Sequence, residues 1–314
     1  MRTLSHINFP TPDNRTEISL SICIVNWNTR AYLLECLASI FDSLPDGRTV
    51  EVIVIDNASS DDSAEAVRAS FPSVVLQTND FNAGYAQANN QAIDIARGNS
   101  ILLLNPDVVL HADSLKNALS FLDANSEAAA ITARLILPNG TTQLSIRGFP
   151  SALSVLAEYC KLPHIPWLGR YFDSYRLRRF NYEAISEIDQ PMGSFLLIRK
   201  SAIVLVGQLD EAFPIFFNEV DWCYRAKVQK KLHIWYSPDV VVTHYGGSST
   251  KQVKPLMIKE SHESLIRFYE KHYRARLPFL AFHAFRRVVK WHERRELGSL
   301  TRSHTGRQQS NGEH

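Results

Sequence analysis

The chain has 314 residues, of which 45% are hydrophobic and 21% charged, and this apolar content excludes disorder over most of its length. The 34 Lys and Arg residues nearly balance the 32 Asp and Glu residues, so the formal net charge of +2 argues against a general nucleic-acid-binding protein. No apolar run approaches the roughly 18 residues of a membrane span, and residues 1–17 are polar and lack the apolar core of a signal peptide. The four cysteines form no CxxC pair. The sequence therefore predicts a cytoplasmic protein with free thiols.

Short apolar runs alternate with helical patterns through the first half of the chain. This alternation predicts an α/β fold with a doubly wound, mainly parallel sheet. Asp62 followed by Glu65 predicts a capped start for the second helix. The predicted strands are residues 19–25, 50–55, 74–77, 101–104 and 129–137, and the predicted helices are 30–41, 62–71, 83–96 and 114–122.

Polar residues follow three of these strands, at Asn26, Asp56 and Asp107. Ligands of doubly wound sheets bind beyond the carboxyl ends of the strands. Asn and Asp also favour turns, so each position alone is compatible with a turn, but the three together indicate a binding site. The sequence has no GxGxxG after the first strand, no GxxxxGK[ST] and no GxSxG, which disfavours a Rossmann dehydrogenase, a P-loop enzyme and an α/β-hydrolase.

The second half of the chain is less regular. Residues 147–187 are rich in proline, aromatic residues and arginine, and the polar tail 298–314 is predicted to be disordered. Further strands are predicted at 195–199, 232–236 and 240–244, and further helices at 200–206, 219–230, 256–272 and 278–295.

Seven segments in order resemble glycosyltransferase family 2, particularly its rhamnosyltransferase-like branch. The resemblance covers residues 19–250 and implies a GT-A fold, a nucleotide-sugar donor and inversion at the anomeric carbon. It divides the chain into a catalytic domain at 18–250, with a donor-binding half at 18–137 and an acceptor-binding half at 138–250, followed by C-terminal helices at 251–297. The segments are IVNWN at 24–28, VIDNASSDDS at 54–63, NAGYAQANN at 82–90, LLLNPDV at 102–108, GSFLLIR at 193–199, FFNEVDWCYR at 216–225 and HYGGSS at 244–249.

A departing nucleotide diphosphate carries negative charge that a divalent cation stabilises. Mg²⁺ or Mn²⁺ prefers oxygen ligands and keeps several waters, so one or two protein ligands suffice. The family usually has Asp-x-Asp where this chain has Asn105-Pro106-Asp107, which leaves Asp107 as the principal metal ligand. The resemblance implies His244 as the second ligand. The alternatives are a proline-containing turn at Asp107 and an inert strand-end histidine.

The resemblance also implies a donor pocket. Asp56 would accept a hydrogen bond from the imide N–H of uracil or thymine, and Gly84 would allow the backbone to approach the donor closely. Asn89 would support this region, although a polar helix face explains it equally well. The remaining donor-binding residues are Asn26, Trp27, Asn28, Ser59 and Asn105, together with Asp107.

Inverting transfer needs a base that takes the proton from the acceptor hydroxyl. The family usually has Glu-Asp-x-Asp where this chain has Asn218-Glu219-Val220-Asp221. The resemblance favours Glu219 as the base. Asp221 stays an alternative base, or it bonds Arg225 at helical spacing.

The resemblance places the acceptor in the C-terminal half of the domain, at Asp189, Gly193 and the Tyr/Arg-rich stretch 170–182. Arginines clamp phosphates, so Arg176, Arg178 and Arg179 fit a diphosphate-lipid acceptor; a solvated basic loop is the alternative.

Residues 278–295 form a basic amphipathic pattern that favours peripheral attachment to the inner face of the membrane. Docking on the catalytic domain or on a second subunit is at least as compatible with this pattern. An oligomer stays possible. The apolar positions are Phe279, Phe282, Phe285, Val289 and Trp291.

The favoured function is the transfer of L-rhamnose from dTDP-rhamnose to a glycan or lipid-linked acceptor in cell-surface polysaccharide synthesis. The alternatives are a UDP-galactofuranose or UDP-N-acetylglucosamine donor, and an inactive nucleotide-sugar-binding scaffold subunit.

Overall fold

A computed structural model of the chain describes residues 18–161, 165, 173–247 and 250–310, so the predicted flexible segment 1–17 lies outside the described residues. The chain divides into two compact units, called here the sheet unit and the helical unit. The sheet unit contains the chain up to Phe149, Arg176–Pro214 and Asn218–Ser249, and the helical unit contains Pro150–Tyr175, Ile215–Phe217 and Thr250–His314.

The secondary structure follows the predicted alternation through the first half of the chain. The strands are β1 (Leu20–Asn26), β2 (Val50–Asp56), β3 (Val75–Thr78), β4 (Ser100–Leu104), β5 (Val108–Leu110), β6 (Ala128–Ile136), β7 (Ile146–Arg147), β8 (Ser186–Glu187), β9 (Gln190–Pro191), β10 (Phe195–Arg199) and β11 (His233–His244). The helices are α1 (Arg30–Asp42), α2 (Ser63–Ser70), α3 (Tyr85–Ile95), α4 (Ser114–Ala124), α5 (Ala152–Tyr159), α6 (Lys200–Val206), α7 (Asn218–Tyr224), α8 (Lys254–His272) and α9 (Phe279–Ser310).

The main sheet has the order β3-β2-β1-β4-β10-β6-β11-β5, with β8 paired to β11. The strands β3, β2, β1 and β4 are mutually parallel, as predicted, whereas β10 runs antiparallel to both β4 and β6. Helices cover both faces of the sheet, so its central strands are apolar along their whole length rather than at alternate positions. On β1, Ile22 and Ile24 face one core cluster while Cys23 and Val25 face the other.

The sheet brings the polar strand ends to one edge. Asn26 ends β1 directly opposite Asp56, which ends β2. The chain leaves β4 through Asn105 and Asp107 into β5, and His244 at the end of β11 pairs with Val108. This edge therefore holds the three polar strand ends identified in the sequence, and His244 joins them.

Several predicted boundaries differ from the structure. The helix predicted at 219–230 is interrupted, because α7 ends at Tyr224 and a π-helix follows at Arg225–Gln229. The two strands predicted at 232–236 and 240–244 are one strand, β11, whose pairing with β6 shifts register between Ser237 and Val241. Asp62 makes no side-chain cap; Asp61 accepts hydrogen bonds from the backbone N–H and the hydroxyl of Ser63 instead.

The apolar stripe of the last helix is largely buried within the helical unit. Phe282, Phe285 and Val289 are buried, and the ring of Phe285 stacks on Tyr269 of α8 with the centroids 4.1 Å apart. The interpretation of the whole stripe as a membrane-binding face is therefore wrong, because these three side chains are buried. Only the flanking Phe279, Leu280 and Trp291 of this helix's large apolar side chains are exposed.

Helix α9 runs through Gly298 to Ser310, whereas the sequence predicts a helix end near residue 295 and a disordered tail. Positions 311–314 of that tail lie outside the described residues. None of the described helices combines the length and the apolar character that crossing a membrane requires.

Phe285→Ala is expected to lower the free energy of unfolding by about 3–5 kcal/mol, because it removes a fully packed aromatic ring and leaves a cavity. Leu280→Ala on the same helix is the matched control: its side chain is exposed, so a change within about 0.5 kcal/mol is expected. Urea unfolding followed by circular dichroism measures both. Equal stability of the Phe285→Ala and wild-type proteins would contradict the packing of α9 on α8.

Candidate active site

The first part of the site is a hydrogen-bonded network between the ends of β1 and β2. The side-chain amide of Asn26 donates to Asp56 Oδ1 (2.8 Å) and to Ser59 Oγ (3.1 Å), and the Ser59 backbone N–H donates to Asp56 Oδ2 (2.9 Å). The Thr29 hydroxyl donates to Asn26 Oδ1 at 2.6 Å. Asn26 and Asp56 are both buried. Asp56 Oδ1 therefore bonds the end of β1 and Oδ2 bonds the loop after β2, and a base N–H has to use the remaining lone pairs of these oxygens.

The loop after β1 lies above this network. Asn28 has a left-handed backbone, with φ of 52°, and its side-chain oxygen accepts from the Ser60 N–H at 2.8 Å. Its own N–H donates to Ser59 Oγ at 2.9 Å. Trp27 and Asn28 are both partly exposed, while Asn26 beneath them is not. Trp27 and Asn28 thus contribute to the exposed surface here, together with Ser59 and Ser60 of the loop after β2.

Gly84 and Asn89 belong to the start of α3. Gly84 has φ of +84°, and a Cβ at this position would lie 2.9 Å from the carbonyl oxygen of Pro214. That carbonyl accepts the Tyr85 N–H at 2.6 Å. The group that lies close to Gly84 is therefore the Pro214 carbonyl, whereas the sequence led us to expect a donor there. Asn89 donates to the Tyr85 carbonyl at 2.9 Å, and its buried Oδ1 has no hydrogen-bond partner among the described residues.

The second part of the site is the pair of Asp107 and His244. His244 Nε2 lies 3.4 Å from Asp107 Oδ1, and both side chains are nearly inaccessible. His244 Nδ1 lies 2.8 Å from Gln143 Oε1. Because an amide oxygen only accepts hydrogen bonds, Nδ1 carries a proton toward Gln143, and Nε2 is the ring nitrogen that faces Asp107. A metal-binding histidine typically has this outer partner on its other nitrogen.

These two side chains fit Mg²⁺ or Mn²⁺. One carboxylate oxygen and one imidazole nitrogen are suitable ligands, and a nucleotide diphosphate and water complete the coordination of such ions. Ser194 Oγ lies 3.2 Å from His244 Nε2 and 3.4 Å from Asn105 Nδ2. Ser194 therefore connects the loop after β4 with the end of β11.

The third part of the site is Glu219, near the start of α7. A Cβ on Gly193 would lie 3.3 Å from Glu219 Cγ, so the glutamate packs against bare backbone. Burial raises the pKa of Glu219 above its ordinary value, while the Arg147 guanidinium and the backbone N–H groups of Val220 and Gly193 act in the opposite direction. A carboxylate with a raised pKa is a stronger base once it is ionised.

Tyr85 connects α3 with the same turn. Its hydroxyl donates to the Gly193 carbonyl at 3.2 Å. Burial, and after it the Glu219 carboxylate, raises the pKa of Tyr85, so the phenol stays protonated and keeps donating. Since Gly193 contacts Glu219 and the next residue, Ser194, contacts His244, this turn joins the base candidate to the metal-ligand candidates.

Asp221 and Asp189 are both engaged in ion pairs. Arg225 Nε donates to the fully buried Asp221 Oδ2 at 2.7 Å, which is the contact that helical spacing suggests. Arg225 also donates to the carbonyls of Val206 and Gln208. Asp189, whose side chain is partly exposed, pairs with Lys227 at 3.0 Å. Asp221 thus holds the loop after α6, and Glu219 is the acid of this segment that packs against the turn at Gly193.

Three contributors were not among the predicted site residues: Ser194, Gln143 and Tyr85. Ser194 and Tyr85 lie inside two of the seven family-like segments, but the resemblance assigned no role to either residue. Gln143 lies outside all seven segments and is identified only by its contact with His244. Of the predicted acceptor stretch 170–182, residues 170–172 lie outside the described residues.

Gly193→Ala is expected to lower kcat about 10- to 100-fold, because the new methyl group displaces the Glu219 side chain and small misplacements of reacting groups have effects of this size. Gly298→Ala is the matched control, since nothing lies within 4 Å of a Cβ built at that position. Steady-state kinetics measure both variants. Wild-type kcat in Gly193→Ala would contradict a role for this turn in placing Glu219.

Comparisons with known proteins place these features in a family. The sequence model of Glycosyl transferase family 2 matches residues 21–202. An N-acetylglucosaminyl-diphospho-decaprenol L-rhamnosyltransferase of Mycobacterium tuberculosis (strain ATCC 25618 / H37Rv) is 27% identical over 265 residues, which are 78% of this chain and 82% of the relative. The rhamnosyltransferase WbbL of Escherichia coli (strain K12) is 23% identical over 173 residues, which are 52% of this chain and 61% of the relative.

Solved structures match the fold at low sequence identity. The mannosyltransferase PcManGT from Pyrobaculum calidifontis, in complex with GDP-Man and Mn²⁺, has a TM-score of 0.56 at 17% identity, covering 91% of this chain and 71% of that chain. GalNAc-T7 with UDP, GalNAc and Mn²⁺ has a TM-score of 0.57 at 14% identity, covering 89% of this chain and 55% of that chain. The GT-A fold predicted from the sequence is confirmed.

Proposed function

We propose a specific reaction for this chain, which belongs to glycosyl transferase family 2 and is a glycosyltransferase. The proposed enzyme is inverting and metal-dependent, and it transfers L-rhamnose from dTDP-rhamnose to a glycan or lipid-linked acceptor. The observation that carries this proposal is the turn at Gly193 and Ser194, which contacts Glu219 on one side and His244, the partner of Asp107, on the other. The two rhamnosyltransferase relatives support the choice of sugar, and the lipid named in the mycobacterial relative supports the choice of acceptor.

In the proposed reaction, the acceptor oxygen forms a bond to the anomeric carbon while the bond from that carbon to the nucleotide diphosphate breaks. Glu219 takes the proton that the acceptor hydroxyl loses. Asp107 and His244 would hold Mg²⁺ or Mn²⁺, and the bound ion would supply positive charge for the departing diphosphate. Trp27 and Asn28 contact the base and ribose, and the Asn26–Asp56–Ser59 network fixes the loops that carry them.

A second candidate function is an inactive nucleotide-sugar-binding scaffold. It is favoured by the replacement of the first acidic residue in both motifs, at Asn105 and Asn218. Retention of Asp107, Glu219 and His244 around one connected turn favours the enzyme.

The experiment is a thermal-shift panel of dTDP-rhamnose, UDP-galactofuranose, UDP-N-acetylglucosamine and GDP sugars, each with Mn²⁺ and with EDTA, followed by a turnover assay on the best donor. A ligand that binds the folded state raises the unfolding midpoint, so the panel ranks the donors. The proposal predicts the largest Mn²⁺-dependent shift and turnover with dTDP-rhamnose. A larger shift with a UDP sugar would replace the donor, and an EDTA-insensitive shift without turnover would favour the scaffold.

We also propose that the protein works on the cytoplasmic side of a membrane, bound peripherally, because lipid-linked acceptors reside there. Phe279, Leu280 and Trp291 support this placement, since they are exposed on a helix that also carries exposed arginines such as Arg294. Co-sedimentation with anionic liposomes tests it: the Leu280→Glu/Trp291→Glu protein is expected to lose binding. If this variant bound liposomes as well as the wild-type protein does, the proposal would be refuted. Unlike Phe282→Glu, the variant changes only exposed side chains and leaves the buried stripe intact.

A further inference from the structure

Three metal-ligating side chains converge within the helical unit. His262 on α8 faces His292 on α9, with 3.0 Å between His262 Nε2 and His292 Nδ1. Glu296, one helical turn after His292, places Oε2 at 3.9 Å from His262 Nε2 and at 4.0 Å from His292 Nδ1. Among the described residues, these form the one group of three or more His, Cys, Asp or Glu side chains whose ligand atoms lie within 4.8 Å of one another.

The outer contacts of the histidines hold both rings in place. His262 Nδ1 lies 2.8 Å from the Ile258 carbonyl one turn earlier on α8. A carbonyl only accepts hydrogen bonds, so Nδ1 carries a proton, and Nε2 is the ring nitrogen that faces His292 and Glu296. The ring of Tyr159 on α5 stacks on His292, with centroids 4.0 Å apart and planes 7° from parallel. Hydrogen bonding of the second nitrogen to a carbonyl is the usual arrangement of a metal-bound histidine.

We propose that His262, His292 and Glu296 bind a Zn²⁺ ion that joins α8 to α9. Zn²⁺ takes imidazole and carboxylate ligands at about 2.0–2.2 Å, and a tetrahedral site with such bonds separates its ligand atoms by about 3.3–3.5 Å. The three observed separations, 3.0, 3.9 and 4.0 Å, lie on both sides of that value. Two nitrogens and one oxygen suit Zn²⁺ better than Mg²⁺ or Ca²⁺, which prefer oxygen.

The burial of the three residues matches a site that is fixed on one side and open on the other. His262 is buried, whereas the Glu296 side chain is 45% exposed. An ion can therefore enter from the Glu296 side, and water supplies the fourth ligand.

The alternative to a metal is a hydrogen bond in which His292 Nδ1–H donates to His262 Nε2. That bond explains the 3.0 Å contact but gives Glu296 no part in it. Metal binding requires the His292 proton to move from Nδ1 to Nε2, which leaves the Nδ1 lone pair for the metal. The two arrangements therefore differ in whether added Zn²⁺ changes the protein.

The test uses the full chain, stripped with a chelator, in an Asp107→Asn background so that the other metal-ligand pair is disabled. Competition with a chromogenic chelator measures Zn²⁺ binding, and Co²⁺ absorption reports the coordination. One Zn²⁺ per chain is expected. His292→Gln is expected to weaken binding by about 100-fold or more, because even the loss of an outer contact to a metal ligand weakens binding about 10- to 100-fold.

Two further variants keep the result interpretable. Glu296→Gln changes an exposed side chain, so it should fold normally and still weaken Zn²⁺ binding. His283→Gln changes another histidine of α9 outside the group and should leave binding unchanged. No bound Zn²⁺, or equal affinity in His292→Gln and Glu296→Gln, would overturn the proposal. None of these readouts uses sugar transfer, so the outcome is independent of the proposed function.

Discussion

Asp107→Asn is expected to lower kcat for sugar transfer by about 10³-fold or more at saturating Mn²⁺, which corresponds to at least about 4 kcal/mol of transition-state stabilisation. The substitution preserves the shape of the side chain and removes the charge beside His244 Nε2, 3.4 Å away. Release of the nucleotide diphosphate, measured by chromatography with the donor selected in the thermal-shift panel, checks the effect. Mn²⁺ should no longer increase the thermal shift that the donor produces.

Asp113→Asn is the matched control for this substitution. Asp113 follows closely in the chain, but its side chain is 62% exposed and pairs only weakly with Lys116 on the surface. Its variant should turn over at the wild-type rate. If Asp107→Asn kept more than about a tenth of wild-type activity with unchanged Mn²⁺ dependence, the role of this aspartate would be refuted.

The sequence sufficed for the parallel half of the sheet because strands buried on both faces are continuous apolar runs. The strands that end at Asn26 and Asp56 were therefore recognisable, and so was the shared edge on which their polar ends lie. The resemblance located Asp107, His244 and Glu219, which the fold brings to this edge or to the turn connected with it. Periodicity alone would not have paired His244 with Asp107, since 136 residues separate them in the printed sequence.

The parts that the sequence did not reveal depend on contacts between distant segments. The role of Gly193 follows from its contact with Glu219, and no local pattern encodes that contact. An amphipathic stripe such as the one containing Phe285 and Val289 shows which face of a helix is apolar but not what covers it. In the structure both side chains are buried, and Phe285 packs on Tyr269 of α8, so these residues cannot form a membrane-binding face.

Glu219→Gln is expected to lower kcat about 10²- to 10⁴-fold while the thermal shift produced by the donor with Mn²⁺ stays near wild type, because the amide cannot take the acceptor proton but keeps the shape of the side chain. In the wild-type protein, kcat/KM should fall as the pH is lowered through the pKa of Glu219, since only the ionised carboxylate acts as a base. Burial raises that pKa, so the fall begins at a higher pH than the value of about 4.3 for an ordinary glutamate suggests. The fall should be absent from the residual activity of Glu219→Gln.

Two comparisons separate this role from a structural one. Asp221→Asn leaves Arg225 without its buried partner, so it should lower the free energy of unfolding by about 3 kcal/mol and leave the acid limb of kcat/KM in place. Arg147→Gln removes a positive charge that lowers the pKa of Glu219, so it should shift the acid limb to higher pH. If the acid limb of kcat/KM vanished in Asp221→Asn and persisted in Glu219→Gln, the base would be Asp221 and not Glu219.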